Sequence, residues 1–203
     1  MHTTLLLAAI ALLGAMPLHA QDLPLSGKAL ATELQRGGYV LMFRHGATDW
    51  SNRDEGRSRL EDCSTQRNLS DAGRSEMRRV GEAIRALHIP IGAVTASPFC
   101  RTRETAQLVF GRTETSPDLL WPGFKASTEA MAQHRAAVGT RLGTAPSAAQ
   151  NTVIVTHGFV IQDATQRSVA EGEAVVLHPE GGRKFTVVAR VLPTAWADLE
   201  KVR

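Results

Sequence analysis

Short apolar runs alternate along the chain with longer segments in which apolar residues recur at helical spacing. The short runs at residues 39–43, 93–96 and 152–155 are typical of buried strands. Helical spacing predicts helices at residues 28–35, 70–87, 101–110 and 127–142. Alternating strands and helices favour a mostly parallel sheet that helices cover on both faces. We therefore predict a three-layer α/β/α sandwich.

The last part of the chain has a different pattern. Two apolar segments, residues 173–177 and 185–191, flank the turn sequence Pro-Glu-Gly-Gly at 179–182. Such a pair of segments around a glycine turn predicts a β-hairpin. At least one strand of the sheet is therefore expected to be antiparallel.

The first twenty residues predict a secretory signal peptide. Residues 5–16 are apolar, and a small residue, Ala20, precedes the polar Gln21. The segment before the apolar run has no Lys or Arg, which is unusual for a signal peptide. The alternative is a membrane anchor, but the run is shorter than the roughly 20 apolar residues that span a bilayer. We therefore expect cleavage after Ala20, a single mature domain at residues 21–203, no membrane span after cleavage, and a periplasmic or secreted protein.

Three short strings carry the candidate chemistry, and each follows a predicted strand. They are Arg-His-Gly at 44–46, Ser-Pro-Phe-Cys-Arg at 97–101 and Thr-His-Gly at 156–158. Because ligands bind at the carboxyl ends of strands in open α/β sheets, two Arg and two His residues are expected to converge there. Arg presents a planar fork of donors to phosphate oxygens, and neutral imidazole is a good nucleophile near pH 7. Glycine directly after each His also allows the backbone to approach a phosphate closely.

Each string by itself is also compatible with an ordinary loop. In this order and spacing, however, they resemble the histidine phosphatase superfamily, which has the phosphoglycerate-mutase-like fold, and in particular its small exported bacterial-type members. The resemblance implies that His45 is the phosphorylated nucleophile and that Arg44, Arg101 and His157 complete the phosphate pocket. It also implies substrate-binding positions, which are Gly46, Thr48 and Gly158.

The resemblance implies a phosphatase that hydrolyses a phosphomonoester or a phosphoramidate through a phosphohistidine. No cofactor is expected, and no metal is expected because the His residues are dispersed and show no metal-ligand spacing. Two alternatives stay open: a protein phosphohistidine phosphatase, and a phosphate-binding envelope protein of the same fold without turnover. The expected partner is a small phosphorylated substrate, and export makes a cell-envelope sugar phosphate one candidate.

The general acid is the least determined element of the pattern. An alkoxide leaving group needs a proton, and a positioned acid contributes about 10²–10⁴-fold to the rate. Neither position at which branches of the superfamily carry this acid is plainly acidic here. The candidates are Glu173, Asp49 and Asp118, although the pattern around each is more typical of a plain surface carboxylate.

Cysteine content and charge add two expectations. An exported protein with two cysteines is expected to form a disulfide, and the resemblance places Cys63 and Cys100 on the rim of one pocket. Two unpaired buried thiols are the alternative. The formal net charge is +3, and the Arg residues around positions 53–67 alternate with Asp and Glu. That mixture indicates a solvated loop rather than a nucleic-acid surface, so no nucleic-acid partner is expected.

Overall fold

The computed structural model describes residues 23–55 and 59–201. The predicted signal peptide at residues 1–20 lies outside the described residues. Six strands form one sheet: β1 (Val40–Arg44), β2 (Ile91–Ala96), β3 (Glu114–Thr115), β4 (Asn151–Thr156), β5 (Ala174–Gly181) and β6 (Lys184–Val191). Five helices are α1 (Gly27–Arg36), α2 (Asp71–Ala86), α3 (Cys100–Phe110), α4 (Thr128–Gly143) and α5 (Gly158–Thr165). Short 3₁₀ helices lie at Cys63–Thr65, Pro117–Leu119 and Pro193–Asp198.

The strands are ordered β3-β2-β4-β1-β5-β6 across the sheet. The first four of these, β3, β2, β4 and β1, are mutually parallel. Strand β5 runs antiparallel to both β1 and β6, and β5 and β6 form the predicted hairpin around Gly182 and Arg183. The mostly parallel sheet with an antiparallel component is confirmed.

Successive side chains of the central strands alternate between two hydrophobic cores, one on each face of the sheet. In β1, Leu41 and Phe43 belong to a core with residues of α1, α2 and α3, whereas Val40 and Met42 belong to a second core with residues of α4 and α5. Successive side chains of a strand point to opposite faces of a sheet, so the uninterrupted apolar run buries both faces. This packing confirms the three-layer architecture.

Serine residues begin two of the predicted helices. The Ser70 hydroxyl accepts a hydrogen bond from the Gly73 N–H at the start of α2. The Ser127 hydroxyl accepts one from the Ala130 N–H at the start of α4. These caps satisfy backbone donors that a helix leaves unpaired in its first turn. Sequence analysis missed α5 and β3, because elements of eight and two residues are too short for a clear periodicity.

The parallel strands bring the three candidate motifs to one edge of the sheet. Strand β1 leads into His45, β2 into Ser97, and β4 into His157. Because β2, β4 and β1 are parallel neighbours, their carboxyl ends lie side by side. Among the helices of the described ranges, none is both long and apolar enough to cross a membrane.

Candidate active site

His45 lies at the floor of the site with its ring almost fully buried. Its backbone N–H donates to the Thr156 carbonyl across the sheet, and its Nδ1 is 2.9 Å from the Gly46 carbonyl oxygen. In the neutral ring, a proton on Nδ1 donates to that carbonyl, which leaves the lone pair on Nε2. The hydrogen bond therefore favours the tautomer in which Nε2 carries the lone pair.

The surroundings of His45 also keep its ring neutral. Burial, which is the largest cause, and the positive charges of Arg101, Arg44 and Arg67 together lower the pKa of His45 to about 3, against the opposing hydrogen bond to Gly46. Both burial and neighbouring cations disfavour the imidazolium form. At neutral pH the ring is therefore uncharged.

His45 lines a cleft with a volume of about 510 Å³, and three guanidinium groups line the same cleft. Arg44 ends β1, and its Nη1 donates to the Val169 carbonyl at 2.8 Å. Arg101 lies in the first turn of α3, and its Cζ is 4.3 Å from the centroid of the Phe99 ring. The resemblance to the histidine phosphatase superfamily implied that Arg44 and Arg101 belong to the phosphate pocket. Sequence analysis did not single out Arg67, because it lies in an irregular segment without a motif.

The second histidine lies beside the first. His157 follows β4, and its ring centroid is 5.7 Å from that of His45. Its Nε2 is 2.8 Å from the Ser97 hydroxyl oxygen, so Ser97 orients the ring. Gly158 also lines the cleft. The structure thus brings together His45, Arg44, Arg101, His157 and Gly158.

Gly46 and Thr48, which are predicted to bind substrate, are not among the residues that line the cleft. A Cβ at position 46 would come within 2.7 Å of the Met77 side chain, so Gly46 allows the segment after β1 to approach α2 closely. The Thr48 hydroxyl donates to Glu171 at 2.8 Å. Both residues position the loop that follows the nucleophile.

The structure does not place the three predicted general acids in the lining of the cleft. Glu173 is 2 % exposed, and its carboxylate accepts from Arg190 Nε and from the Ala170 N–H, both at 2.7 Å. The Glu173 carboxylate therefore contacts Arg190 and the Ala170 backbone, and Glu173 does not line the cleft.

Asp118 and Asp49 are occupied by other partners. Burial raises the pKa of Asp118, but hydrogen bonds from Arg141 and Ser116 outweigh burial and lower it overall. Asp49 accepts hydrogen bonds from Ser51 and Asn52 on its own turn, and these lower its pKa. Both carboxylates are therefore held by these partners, and neither residue lines the cleft.

Among the described residues that line the cleft, Asp54 alone carries a carboxylate. Its Oδ1 accepts from Arg101 Nη1 at 2.9 Å and from the Arg67 backbone N–H at 2.9 Å. Sequence analysis treated Asp54 as part of a solvated mixed-charge loop. Its position after the nucleophile, among several Arg residues, was the available signal.

Glu171 is a second acidic residue that sequence analysis missed. Its Oε1 lies 3.4 Å from Arg44 Nη2, 3.6 Å from Arg67 Nη1 and 4.0 Å from His45 Nδ1. A single carboxylate thus contacts two of the three guanidinium groups. It offsets their mutual repulsion and holds them around His45.

A disulfide fixes the loop that carries Asp54 and Arg67 against α3. The structure contains the predicted bond between Cys63 and Cys100, whose Cα atoms are 5.7 Å apart. Beside it, the Cys100 N–H donates to the Gln66 side-chain carbonyl at 2.8 Å. Because Arg101 follows Cys100 directly, the crosslink also fixes the start of the helix that presents Arg101.

Within residues 23–55 and 59–201, no group of three or more His, Cys, Asp or Glu residues is arranged to bind a metal ion. The site instead combines a buried neutral imidazole with three guanidinium groups, a second imidazole and a carboxylate. Guanidinium groups match the oxygens of a phosphoryl group, and an uncharged imidazole can attack phosphorus.

Comparisons with known proteins agree with this geometry. The family model of the histidine phosphatase superfamily (branch 1) matches residues 40–126. Among curated proteins, none matches the sequence.

Solved structures share the fold at low sequence identity. The protein histidine phosphatase SixA complexed with tungstate is 19 % identical, with a TM-score of 0.54 over 77 % of this chain and 97 % of SixA. A putative alpha-ribazole-5'-P phosphatase from Escherichia coli K-12 is 14 % identical, with a TM-score of 0.57 over 77 % of this chain and 98 % of that one. TTHB049 from Thermus thermophilus is 20 % identical, with a TM-score of 0.52 over 75 % of this chain and 98 % of that one.

Proposed function

Because the chain belongs to the histidine phosphatase superfamily, we propose that it is an exported phosphatase that hydrolyses a small phosphorylated substrate through a phosphohistidine on His45. The observation that carries the proposal is the state of His45. Its ring is buried, uncharged and held with Nδ1 toward the Gly46 carbonyl, in a cleft that three guanidinium groups share.

In the first step, Nε2 of His45 attacks the phosphorus atom and the bond to the leaving oxygen breaks. The non-bridging oxygens carry the charge of the transition state, and Arg44, Arg67 and Arg101 are the cations that line the cleft around them. Because these cations are held before substrate binds, little reorganisation accompanies the reaction. His157, oriented by Ser97, completes the polar lining of the cleft beside His45.

The leaving oxygen needs a proton, and we assign its delivery to Asp54. This carboxylate lines the cleft and is hydrogen bonded to Arg101. After the alcohol leaves, the Asp54 carboxylate takes a proton from water, the water oxygen attacks phospho-His45, and phosphate is released with a neutral imidazole.

Export is the second part of the proposal. The signal-peptide pattern at residues 1–20 and the bond between Cys63 and Cys100 both support an oxidising compartment, the periplasm or the medium. A cell-envelope sugar phosphate is a substrate that such a protein would meet.

Trapping the intermediate tests the catalytic proposal. The mature protein is mixed with a radiolabelled phosphomonoester and quenched in alkali, in which phosphohistidine survives. We expect label on His45 in the wild type and in a His178→Ala control, whose substitution lies on an exposed position of β5. We expect neither label nor turnover in His45→Ala.

Label on His157, or turnover by a folded His45→Ala variant, would contradict the mechanism. Binding of phosphate by the wild type without label or turnover of any phosphomonoester would instead support a phosphate-binding protein without catalysis.

A further inference from the structure

Exposed large hydrophobic side chains are concentrated at the cleft. The described residues include four such side chains: Trp50, Phe124, Phe159 and Leu192. The first three line the cleft that contains His45. Phe124 is 80 % exposed, so its ring contributes little to the folded core. A contiguous apolar surface next to a phosphate site is typical of a ligand-binding surface.

Three rings form one connected surface, which we term the aromatic wall: Trp121, Phe124 and Phe159. The Phe124 and Phe159 rings meet edge to face with centroids 4.9 Å apart. Trp121 lies 6.2 Å from Phe124 and 6.0 Å from Phe159 between centroids. It also packs against the core on the α4 and α5 side of the sheet, so the wall has a fixed base.

The aromatic wall adjoins the phosphate pocket. Phe159 follows His157 by two residues, in the first turn of α5, and lines the same cleft as His45. Trp50 adds a further ring to this cleft, and the Arg67 guanidinium lies 3.8 Å from its centroid. A substrate whose phosphoryl group contacts the guanidinium groups therefore has apolar ring surface within reach of its organic part.

We infer that the aromatic wall is the subsite for the organic part of the substrate and that this part is a ring with an apolar face, either aromatic or a sugar. The inference rests on the proposed function, because the phosphoryl group must occupy the guanidinium pocket. Rings pack against aromatic side chains face to face or edge to face, with a gain beyond the area that they bury. A ring also loses less conformational entropy on binding than a flexible chain of the same size.

Binding of non-hydrolysable phosphonates tests the subsite without turnover. The probes are naphthylmethylphosphonate, a sugar-ring phosphonate, ethylphosphonate and inorganic phosphate, with dissociation constants from calorimetry. Of the two ring-bearing probes, we expect the tighter-binding one to have a dissociation constant roughly tenfold lower than that of ethylphosphonate. Ethylphosphonate carries the same phosphonate group, so the difference reports on the ring. The naphthyl and sugar arms distinguish the two kinds of ring.

Substitutions in the wall should remove the preference. Phe124→Ala and Phe159→Ala should each reduce the ratio of the ethyl to the ring dissociation constant by about threefold to tenfold. Leu192→Ala is the matched control, because Leu192 is 50 % exposed and lies outside the cleft lining. We expect it to keep the wild-type ratio.

The outcomes separate this inference from the proposed function. Equal binding of ring and ethyl probes, or equal ratios in Phe124→Ala and Leu192→Ala, would overturn the subsite, while phosphohistidine trapping would still stand. Failure of every probe, inorganic phosphate included, would overturn both proposals. A ring preference in a protein without turnover would retain the subsite and reject catalysis.

Discussion

The uncharged state of His45 makes stability depend on pH in a way that one substitution should abolish. In the folded protein the pKa of His45 is lowered to about 3 by burial and by the neighbouring guanidinium groups, whereas in the unfolded chain it is about 6.5. Between these values the unfolded chain binds more protons than the folded protein. The free energy of unfolding therefore rises with pH across this window and falls as the solution is acidified through pH 6.5.

The size of the effect follows from the two pKa values. At pH 5 the unfolded His45 is almost fully protonated and the folded one is not, which favours unfolding by about 2 kcal/mol relative to neutral pH. His45→Gln removes the titrating group but retains an N–H donor for the Gly46 carbonyl. We expect the wild type to lose about 2 kcal/mol more than His45→Gln between about pH 7.5 and pH 5.

Urea unfolding of both proteins at several pH values measures this difference directly. Other ionisable groups are common to the two proteins, so their contributions largely cancel in the comparison. The buffer must contain no phosphate, because an anion bound among the guanidinium groups would favour a protonated ring. Equal pH dependence in the two proteins would show that His45 becomes charged in the folded state near its ordinary pKa, and the neutral nucleophile would be refuted.

Two further predictions concern the loop after the nucleophile. Reduction of the bond between Cys63 and Cys100, which are 37 residues apart, should lower the free energy of unfolding by about 4 kcal/mol on the chain-entropy model and Tm by roughly ten degrees. Calorimetry with and without reductant measures this change, and a Cys63→Ser, Cys100→Ser double variant should match the reduced protein. Two free thiols in the wild type, counted under non-reducing conditions, would contradict the bond. Asp54→Asn should slow hydrolysis of alkyl phosphates about 10²-fold or more but that of nitrophenyl phosphate far less, because nitrophenolate leaves without a proton. Asp49→Asn, on the same loop but outside the cleft, is the control for steady-state kinetics, and equal losses on both substrates in Asp54→Asn would reject Asp54 as the acid.

Local sequence determined much of the fold. Apolar runs and helical spacing predicted four of the five helices, the three central parallel strands and the terminal hairpin. These elements depend on burial of both sheet faces and on helix capping by Ser70 and Ser127, and residues that are neighbours in the sequence determine both. The same local logic placed His45, Arg44, Arg101 and His157 at one edge, since each directly follows or lies near a strand end. The sequence showed no such pattern for α5 or β3.

Only the tertiary structure decided which acidic groups face the nucleophile. Glu171 and Glu173 are separated by Gly172, whose φ of 77° lies in the left-handed region, and the chain there turns so that Glu171 contacts the Arg44 pocket and Glu173 contacts Arg190. A Cβ at Gly172 would come within 2.7 Å of Met77, a residue far earlier in the chain, so this turn depends on a contact between distant parts of the sequence.

Asp54 and Arg67 reach the cleft through an irregular loop that has no periodicity of its own. Its path depends on the disulfide to Cys100 and on the ion pair between Asp54 and Arg101. The sequence by itself therefore determined most of the sheet and the strand ends that carry Arg44, His45 and His157, through short-range pattern. Long-range contacts determined the positions of the carboxylates, of the third guanidinium group and of the aromatic wall. A side chain in a loop takes its direction from the surfaces against which the loop packs.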